Sequence, residues 1–163
     1  MKNAFLVLLL AYSFCQAAPY TEALPPIRPD AHLSPGEVAS NGATVEQICG
    51  RGYATGIRNV PESLKRAVFV AYFGYVPKRP GDYEIDHVVS CELNGAQTAK
   101  NLFPQAYAGP WGAHVKDRLE DWMAADVRHC LAAKGAIAAQ KLLELHQKEI
   151  SSDWIAAYKK YIK

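Results

Sequence analysis

Two neighbouring residues in an apolar stretch of the chain have side chains that could take part in catalysis. Asp86 and His87 follow Ile85 and precede Val88 and Val89. A carboxylate can hold a hard divalent cation, and a neutral imidazole can take a proton from water. The pair therefore indicates metal-assisted hydrolysis. The alternative interpretation is a structural pair that accepts hydrogen bonds at a strand end.

The residues around this pair predict a β-hairpin. The β-rich, alternating run 83–89 indicates a strand, Asn94-Gly95 indicates a turn, and 101–104 indicates a short extended return. Successive side chains of a regular strand point to opposite faces. A joint site of Asp86 and His87 therefore requires the strand to end or to bulge at this point.

Helices are predicted on both sides of the hairpin. The apolar spacing predicts one from about 61 to 73 and a long amphipathic one from about 112 to just before Gly135. Two more follow at about 137–148 and 152–162, the last capped by Ser151 or Ser152. The order helix, hairpin, helix, helix, helix predicts a mostly helical α+β domain.

Composition and charge limit the function classes. The chain has 163 residues, of which 50% are hydrophobic, which is typical of a compact globular protein. Its 18 basic and 16 acidic residues give a net charge of +2, whereas proteins that bind nucleic acid tightly carry a strong basic excess. Phosphodiester chemistry stays possible in principle, because a bound cation adds local positive charge.

The N-terminal region predicts export. Residues 1–17 have the pattern of a signal peptide, with Lys2, an apolar run over 4–11 and small residues ahead of Ala18. The alternative, a short membrane anchor, has fewer apolar residues than a bilayer crossing needs. A Pro-rich extended leader follows over 18–43, and the domain covers 44–163. We expect a secreted or periplasmic protein whose mature form does not contact a membrane.

Three cysteines remain after residue 17, namely Cys49, Cys91 and Cys130. In an exported protein this number predicts one disulfide and one free or intermolecular thiol. Cys91 lies beside Asp86 and His87 in an apolar context, where a buried reduced thiol is common. We therefore expect the bridge between Cys49 and Cys130.

The hairpin sequence carries a family resemblance. Residues 83–95 (YEIDHVVSCELNG) and 99–105 (AKNLFPQ) resemble the ββα-metal (HNH) endonucleases, and more narrowly a group of small exported HNH-type proteins. The resemblance extends to 49–53 (CGRGY), 111–120 (WGAHVKDRLE) and 153–155 (DWI). It implies a ββα-metal core, built from the hairpin and the long helix after it, inside the helical domain.

The resemblance also implies roles for individual residues. Asp86 resembles the metal-ligating carboxylate and His87 the general base, while Asn101 resembles the asparagine that steadies the loop and orients the base. The implied activity is hydrolysis of DNA or RNA with a divalent cation, Mg²⁺ first and Mn²⁺, Ca²⁺ or Zn²⁺ as alternatives. A protein inhibitor or other partner would be of unknown identity.

One position departs from the family pattern. Gly112 stands where similar proteins have an asparagine that would be the second metal ligand. Either His114 takes that role, or the metal site is weakened. The second case predicts a secreted binding protein with an HNH-like fold and reduced or absent catalysis.

Several basic residues are candidates for contact with a phosphate backbone, and the alternative for each is a solvated surface. For the two on the long helix, the alternative includes salt bridges with acidic neighbours on that helix. The candidates are Arg51, Arg58, Lys116 and Arg118.

Overall fold

The computed structural model describes residues 27–162. The predicted signal peptide 1–17 and the first part of the predicted leader lie outside the described residues. Within them the structure is α+β, as predicted. The elements in chain order are α1 (Val45–Ile48), α2 (Tyr53–Ile57), α3 (Glu62–Phe73), β1 (Tyr83–His87), β2 (Leu102–Ala106), α4 (Ala113–Lys134) and α5 (Ala136–Tyr161).

Strands β1 and β2 form the antiparallel hairpin. Tyr83 pairs with Ala106 at one end, and His87 pairs with Leu102 at the other. The predicted first strand continued to Val89, but the ladder stops at His87 because the Val89 N–H donates to the side chain of Asn101 instead. The strand thus ends at the Asp86-His87 pair.

Helix α3 agrees with its prediction. It follows Pro61 and stops at Gly74, whose φ of 78° is in the left-handed region that favours glycine. The two short helices before it were not predicted. Helix α1 begins with a capping box in which Thr44 and Gln47 bond each other's backbone, and this Thr-x-x-Gln pattern is the signal that could have revealed it.

The two C-terminal helices pack against each other and against the loop that joins the strands. Helix α4 matches its prediction, whereas the last two predicted helices form α5, broken at Asp153 by extended dihedrals (φ −161°, ψ 94°). The prediction that Ser151 or Ser152 caps the last helix is wrong. The Asp153 carboxylate caps the second half by accepting the N–H groups of Ile155 and Ala156, and both serines donate back to Lys148.

The core lies between α4, α5 and the loop that joins the strands. Part of the predicted leader also contacts it. The Ser34 hydroxyl donates to the Leu102 carbonyl at 2.5 Å, and Val38 bridges to Gly95. Among residues 27–162, none of the helices combines the length and apolar character that a bilayer crossing requires.

Cys49, Cys91 and Cys130 are thiols in this structure. Cys49 and Cys130 are half-buried and pack against the same core, while Cys91 is fully buried. Burial raises the pKa of the Cys49 and Cys91 thiols. The Cys49–Cys130 bridge stays a prediction.

Candidate active site at the end of strand β1

The end of β1 sends its two polar side chains into different surroundings. The Asp86 Oδ2 atom lies 2.9 Å from the Lys116 Nζ on α4. The His87 Nε2 atom lies 3.1 Å from the Gln97 Oε1 and 3.7 Å from the Cys91 Sγ, both in the loop that follows the strand. Both residues are buried, with 7% of their surface exposed.

Lys116 lies at the centre of a buried ion cluster. Its side chain is fully buried, and its Nζ contacts the carboxylates of Asp86 and Glu120 and donates to the His87 carbonyl at 2.5 Å. The Asp86 Oδ1 accepts the His87 N–H at 2.7 Å. The Asp86 Oδ2 pairs with the Lys116 ammonium at 2.9 Å and has no other hydrogen-bonding partner among the described residues.

The carboxyl groups of this cluster keep the Lys116 side chain in its charged form. Burial alone would lower the pKa of Lys116, but the charges of Asp86 and Glu120 outweigh it and raise the pKa above its usual value. Burial raises the pKa of Glu120 above its usual value, an effect that the charge of Lys116 partly offsets. The Lys116 ammonium thus lies between the carboxyl groups of Asp86 and Glu120. Lys116, a predicted phosphate contact, lies in this cluster with its side chain only 1% exposed.

His87 faces a cavity of about 440 Å³ on the other side of the strand. Arg58 and Lys65 line the same cavity, as do Glu84 and Tyr107. Burial lowers the pKa of His87, an effect that its hydrogen bond to Gln97 and the charge of Asp86 only partly offset. The imidazole is consequently neutral at neutral pH, as a general base requires.

The hydrogen bonds of Gln97 assign the proton on this imidazole. The Gln97 Nε2 donates to the Gly95 carbonyl and to the Cys91 Sγ, both at 3.3 Å, which fixes its Oε1 toward His87. Because that oxygen is an acceptor, the His87 Nε2 carries the hydrogen. The Nδ1 atom is then the nitrogen that can take a proton.

Asn101 holds the loop that follows His87. Its side chain is fully buried and makes four hydrogen bonds to backbone groups: it accepts from the N–H groups of Glu37 and Val89 and donates to the carbonyls of Val89 and Ala96. The distances lie between 2.9 and 3.1 Å. This geometry is that of a loop clamp, the role that the family resemblance implies.

The predicted metal ligand His114 is exposed on α4, outside the buried cluster that contains Asp86. The His114 side chain is 76% exposed, and its Nδ1 lies 3.4 Å from the Asp117 Oδ2. Across residues 27–162, no three or more His, Cys, Asp or Glu side chains are grouped to hold a metal ion. The residues around Asp86 thus do not fit a divalent cation, because the neighbour of its Oδ2 is the Lys116 ammonium.

Gly112 is required by the loop before α4. A Cβ atom at this position would lie 2.3 Å from the Tyr107 carbonyl oxygen and 2.9 Å from its carbon. Any side chain would therefore force this backbone apart. The backbone at this position leaves no room for a side chain. Gly112→Asn would therefore have to move the loop before it could supply a ligand.

Comparisons with protein-family models, curated proteins and solved structures find no match for this chain. The assignment of the site therefore depends on its own residues and their geometry.

Of the four basic residues predicted to contact phosphate, Arg58 lines the cavity of His87. It lies 3.4 Å from Glu92 and keeps 55% of its side chain exposed. Arg51 lies instead in surface depressions beside α1 and α2, and the Arg118 guanidinium lies over the Tyr158 ring at 5.6 Å. The structure thus brings Arg58 to the candidate site and leaves Arg51 and Arg118 outside its cavity lining.

Sequence reasoning missed two partners of the pair. Gln97 stands in the hairpin loop, where no pattern marks it. The sequence predicts that acidic neighbours of Lys116 lie on a solvated surface, but Glu120 is buried. Lys116 and Glu120 are four residues apart on the helix stripe that also contains Ala113 and Met123. This 3.6-residue spacing was the signal for their burial.

Proposed function

We propose that the chain is an exported endonuclease that hydrolyses phosphodiester bonds of DNA or RNA with His87 as the general base. One observation carries this proposal: a buried, neutral imidazole with its Nδ1 available faces a cavity that also presents Arg58 and Lys65. A base and cations around one cavity are what attack of water on a phosphodiester needs.

In the proposed reaction, the His87 Nδ1 takes a proton from the water that attacks the phosphorus atom. The bond from phosphorus to the leaving sugar oxygen breaks, and that oxygen takes a proton from solvent. Gln97 keeps the ring in the correct tautomer through its bond to Nε2, and Asn101 holds the loop that contains Gln97. Arg58 and Lys65 would hold the phosphate oxygens and offset the charge that develops on them. These steps use protein groups alone. A divalent cation, Mg²⁺ first, stays a prediction of the family resemblance.

The order of elements supports a ββα-metal core. Strands β1 and β2 are followed directly by α4, whose Lys116 contacts Asp86 and His87 at the end of β1. Export is proposed from the signal pattern of residues 1–17 and the cysteine number. The proposed partner is the nucleic acid substrate, and no residue is assigned to a protein inhibitor.

The proposal is tested by cleavage of plasmid DNA and of a structured RNA with the purified protein. His87→Ala should lower the rate by a factor of about 10² to 10⁴, the range for loss of a general base. The matched control is His129→Ala, which removes an exposed histidine on α4 and should leave the rate unchanged. Equal cleavage by His87→Ala and the unsubstituted protein would contradict the proposal.

A second candidate function is binding of nucleic acid without cleavage. It is favoured by the Lys116 ammonium beside Asp86 and by the missing ligand at Gly112. A salt-dependent gel shift that Arg58→Gln weakens, with no product after prolonged incubation, would support this function over the first.

A further inference from the structure

We infer that Lys116 is the resident cation of the site between β1 and α4, and that its ammonium group excludes a divalent metal from Asp86. The inference does not require that the chain cleave nucleic acid. It starts from the three oxygens that surround the Nζ atom, one each from Asp86, Glu120 and the His87 backbone.

The oxygens match the ammonium in number and kind. A lysine ammonium has three N–H groups, and three oxygens lie within contact of this one. Two carboxylates and a backbone carbonyl are also ligands that Ca²⁺ or Mg²⁺ would choose. The ammonium and a metal ion would therefore compete for one position, and the ammonium is covalently attached to α4.

The burial of Lys116 makes this competition unequal. Its side chain is 1% exposed, and the Asp86 and Glu120 side chains are each 10% exposed, so water hardly screens the cluster. A divalent ion at the Asp86 Oδ2 would lie next to a positive charge in a medium of low dielectric constant, where like charges repel strongly. To admit the ion, Lys116 would have to leave a buried position between two carboxylates.

The remaining groups near Asp86 do not offset this repulsion. Its Oδ1 already accepts the His87 N–H, and His114 is bound to Asp117 on the exposed side of α4. Glu84, the next carboxylate along β1, lines the cavity of His87.

The test measures Mn²⁺ binding directly, by the loss of the free-ion electron paramagnetic resonance signal as protein is added. Mn²⁺ prefers oxygen ligands, so the three thiols do not confuse the result. The unsubstituted protein should show no saturable site at Asp86. Lys116→Ala leaves both carboxylates and the carbonyl facing vacated space, and it should bind one Mn²⁺ at least about 100-fold more tightly.

Two variants control this experiment. Lys116→Ala combined with Asp86→Asn should lose the new site, and Lys141→Ala, which removes an exposed lysine on α5, should behave like the unsubstituted protein. Circular dichroism reports folding, and Mn²⁺ should raise the melting temperature of Lys116→Ala. If Lys116→Ala does not fold, Mn²⁺ binding by the unsubstituted protein still tests whether Asp86 holds a metal ion.

Two results would overturn the inference. One is a saturable Mn²⁺ site in the unsubstituted protein that Asp86→Asn removes. The other is a folded Lys116→Ala variant that binds Mn²⁺ no better than the unsubstituted protein. Neither result depends on catalysis, so failure of the inference is distinguishable from failure of the proposed function.

Discussion

The two sides of the last residues of β1 differ in almost every physical property. On the Asp86 side, α4 closes the space with a buried ammonium and a second carboxylate. On the His87 side, the ring meets neutral hydrogen-bonding groups and opens toward a cavity of about 440 Å³. On the Asp86 side the charged groups pair with one another, whereas the His87 side is open to a ligand.

This difference shows how a charged residue and a base can be neighbours and still act separately. The charge of Asp86 raises the pKa of His87, and the charges of Lys116 and Arg58 lower it, while burial has the largest effect and lowers it. Burial outweighs the effect of the neighbouring carboxylate, so Asp86 does not hold the imidazole in its charged form. The neutral base therefore depends chiefly on the burial of the ring.

The largest expected effect comes from removing the charge on the closed side. Lys116→Met should lower the free energy of unfolding by about 3–5 kcal/mol, because it leaves buried carboxylates without their partner. Urea denaturation monitored by circular dichroism measures this loss, with Lys141→Met as the exposed control. A change below about 1 kcal/mol, the size typical of a surface pair, would remove the contrast between the two sides.

A smaller loss in the free energy of unfolding is expected on removal of the Asn101 side chain, which holds the loop after β1. Asn101→Ala leaves four backbone groups without their side-chain partner, and each of the three buried ones costs about 1–3 kcal/mol when unsatisfied. Relaxation of the loop and entry of water would reduce the sum, so we expect about 3 kcal/mol. Thermal and urea unfolding measure the effect, and an unchanged stability would show that Asn101 does not hold the loop.

On the open side, Arg58→Gln should weaken nucleic acid binding by about tenfold, because one phosphate contact of roughly 1.4 kcal/mol is lost. The slope of log K against log salt should fall by about 1 for duplex DNA. Arg51→Gln is the matched control and should change neither quantity, since Arg51 does not line the His87 cavity. Equal effects of both substitutions would place the nucleic acid elsewhere.

The smallest expected effect is a shift in the pH profile. Because burial lowers the pKa of His87 from 6.5, the neutral base persists as the pH falls, and the acid limb of the cleavage rate should lie below pH 6.5. The stability that the neutral ring contributes is present above pH 6.5 and is lost as the pH falls through the folded-state pKa. Gln97→Leu removes a hydrogen bond that raises this pKa, so it should move the limb further down. An acid limb of the cleavage rate above pH 6.5 would contradict the assignment of His87 as the general base.

The elements with clear periodicity could be predicted from the sequence. Helices α3 and α4 and the hairpin follow from apolar spacing and turn residues, and the break in α5 was expected near its true place. The details that failed depend on single side chains. The Asn101 amide ends β1 two residues early, and Asp153 rather than a serine caps the end of α5.

The site was harder to predict because its properties arise from tertiary contacts. The sequence marked Asp86 and His87 through their polarity in an apolar run, and Asn101 through the resemblance to the HNH-type family. It did not place Lys116 under the strand, because a lysine beside acidic residues on a helix usually lies in water. The burial of Lys116 depends on where α4 packs, which local spacing alone does not determine.

The most direct test of the account is a crystal structure of the protein with a nucleic acid oligonucleotide and Mn²⁺, measured at the manganese anomalous edge. The account predicts a phosphate beside the His87 Nδ1 and Arg58, the Lys116 Nζ in place between Asp86 and Glu120, and no anomalous peak at Asp86. A manganese peak bonded to the Asp86 carboxylate, with Lys116 displaced, would contradict it.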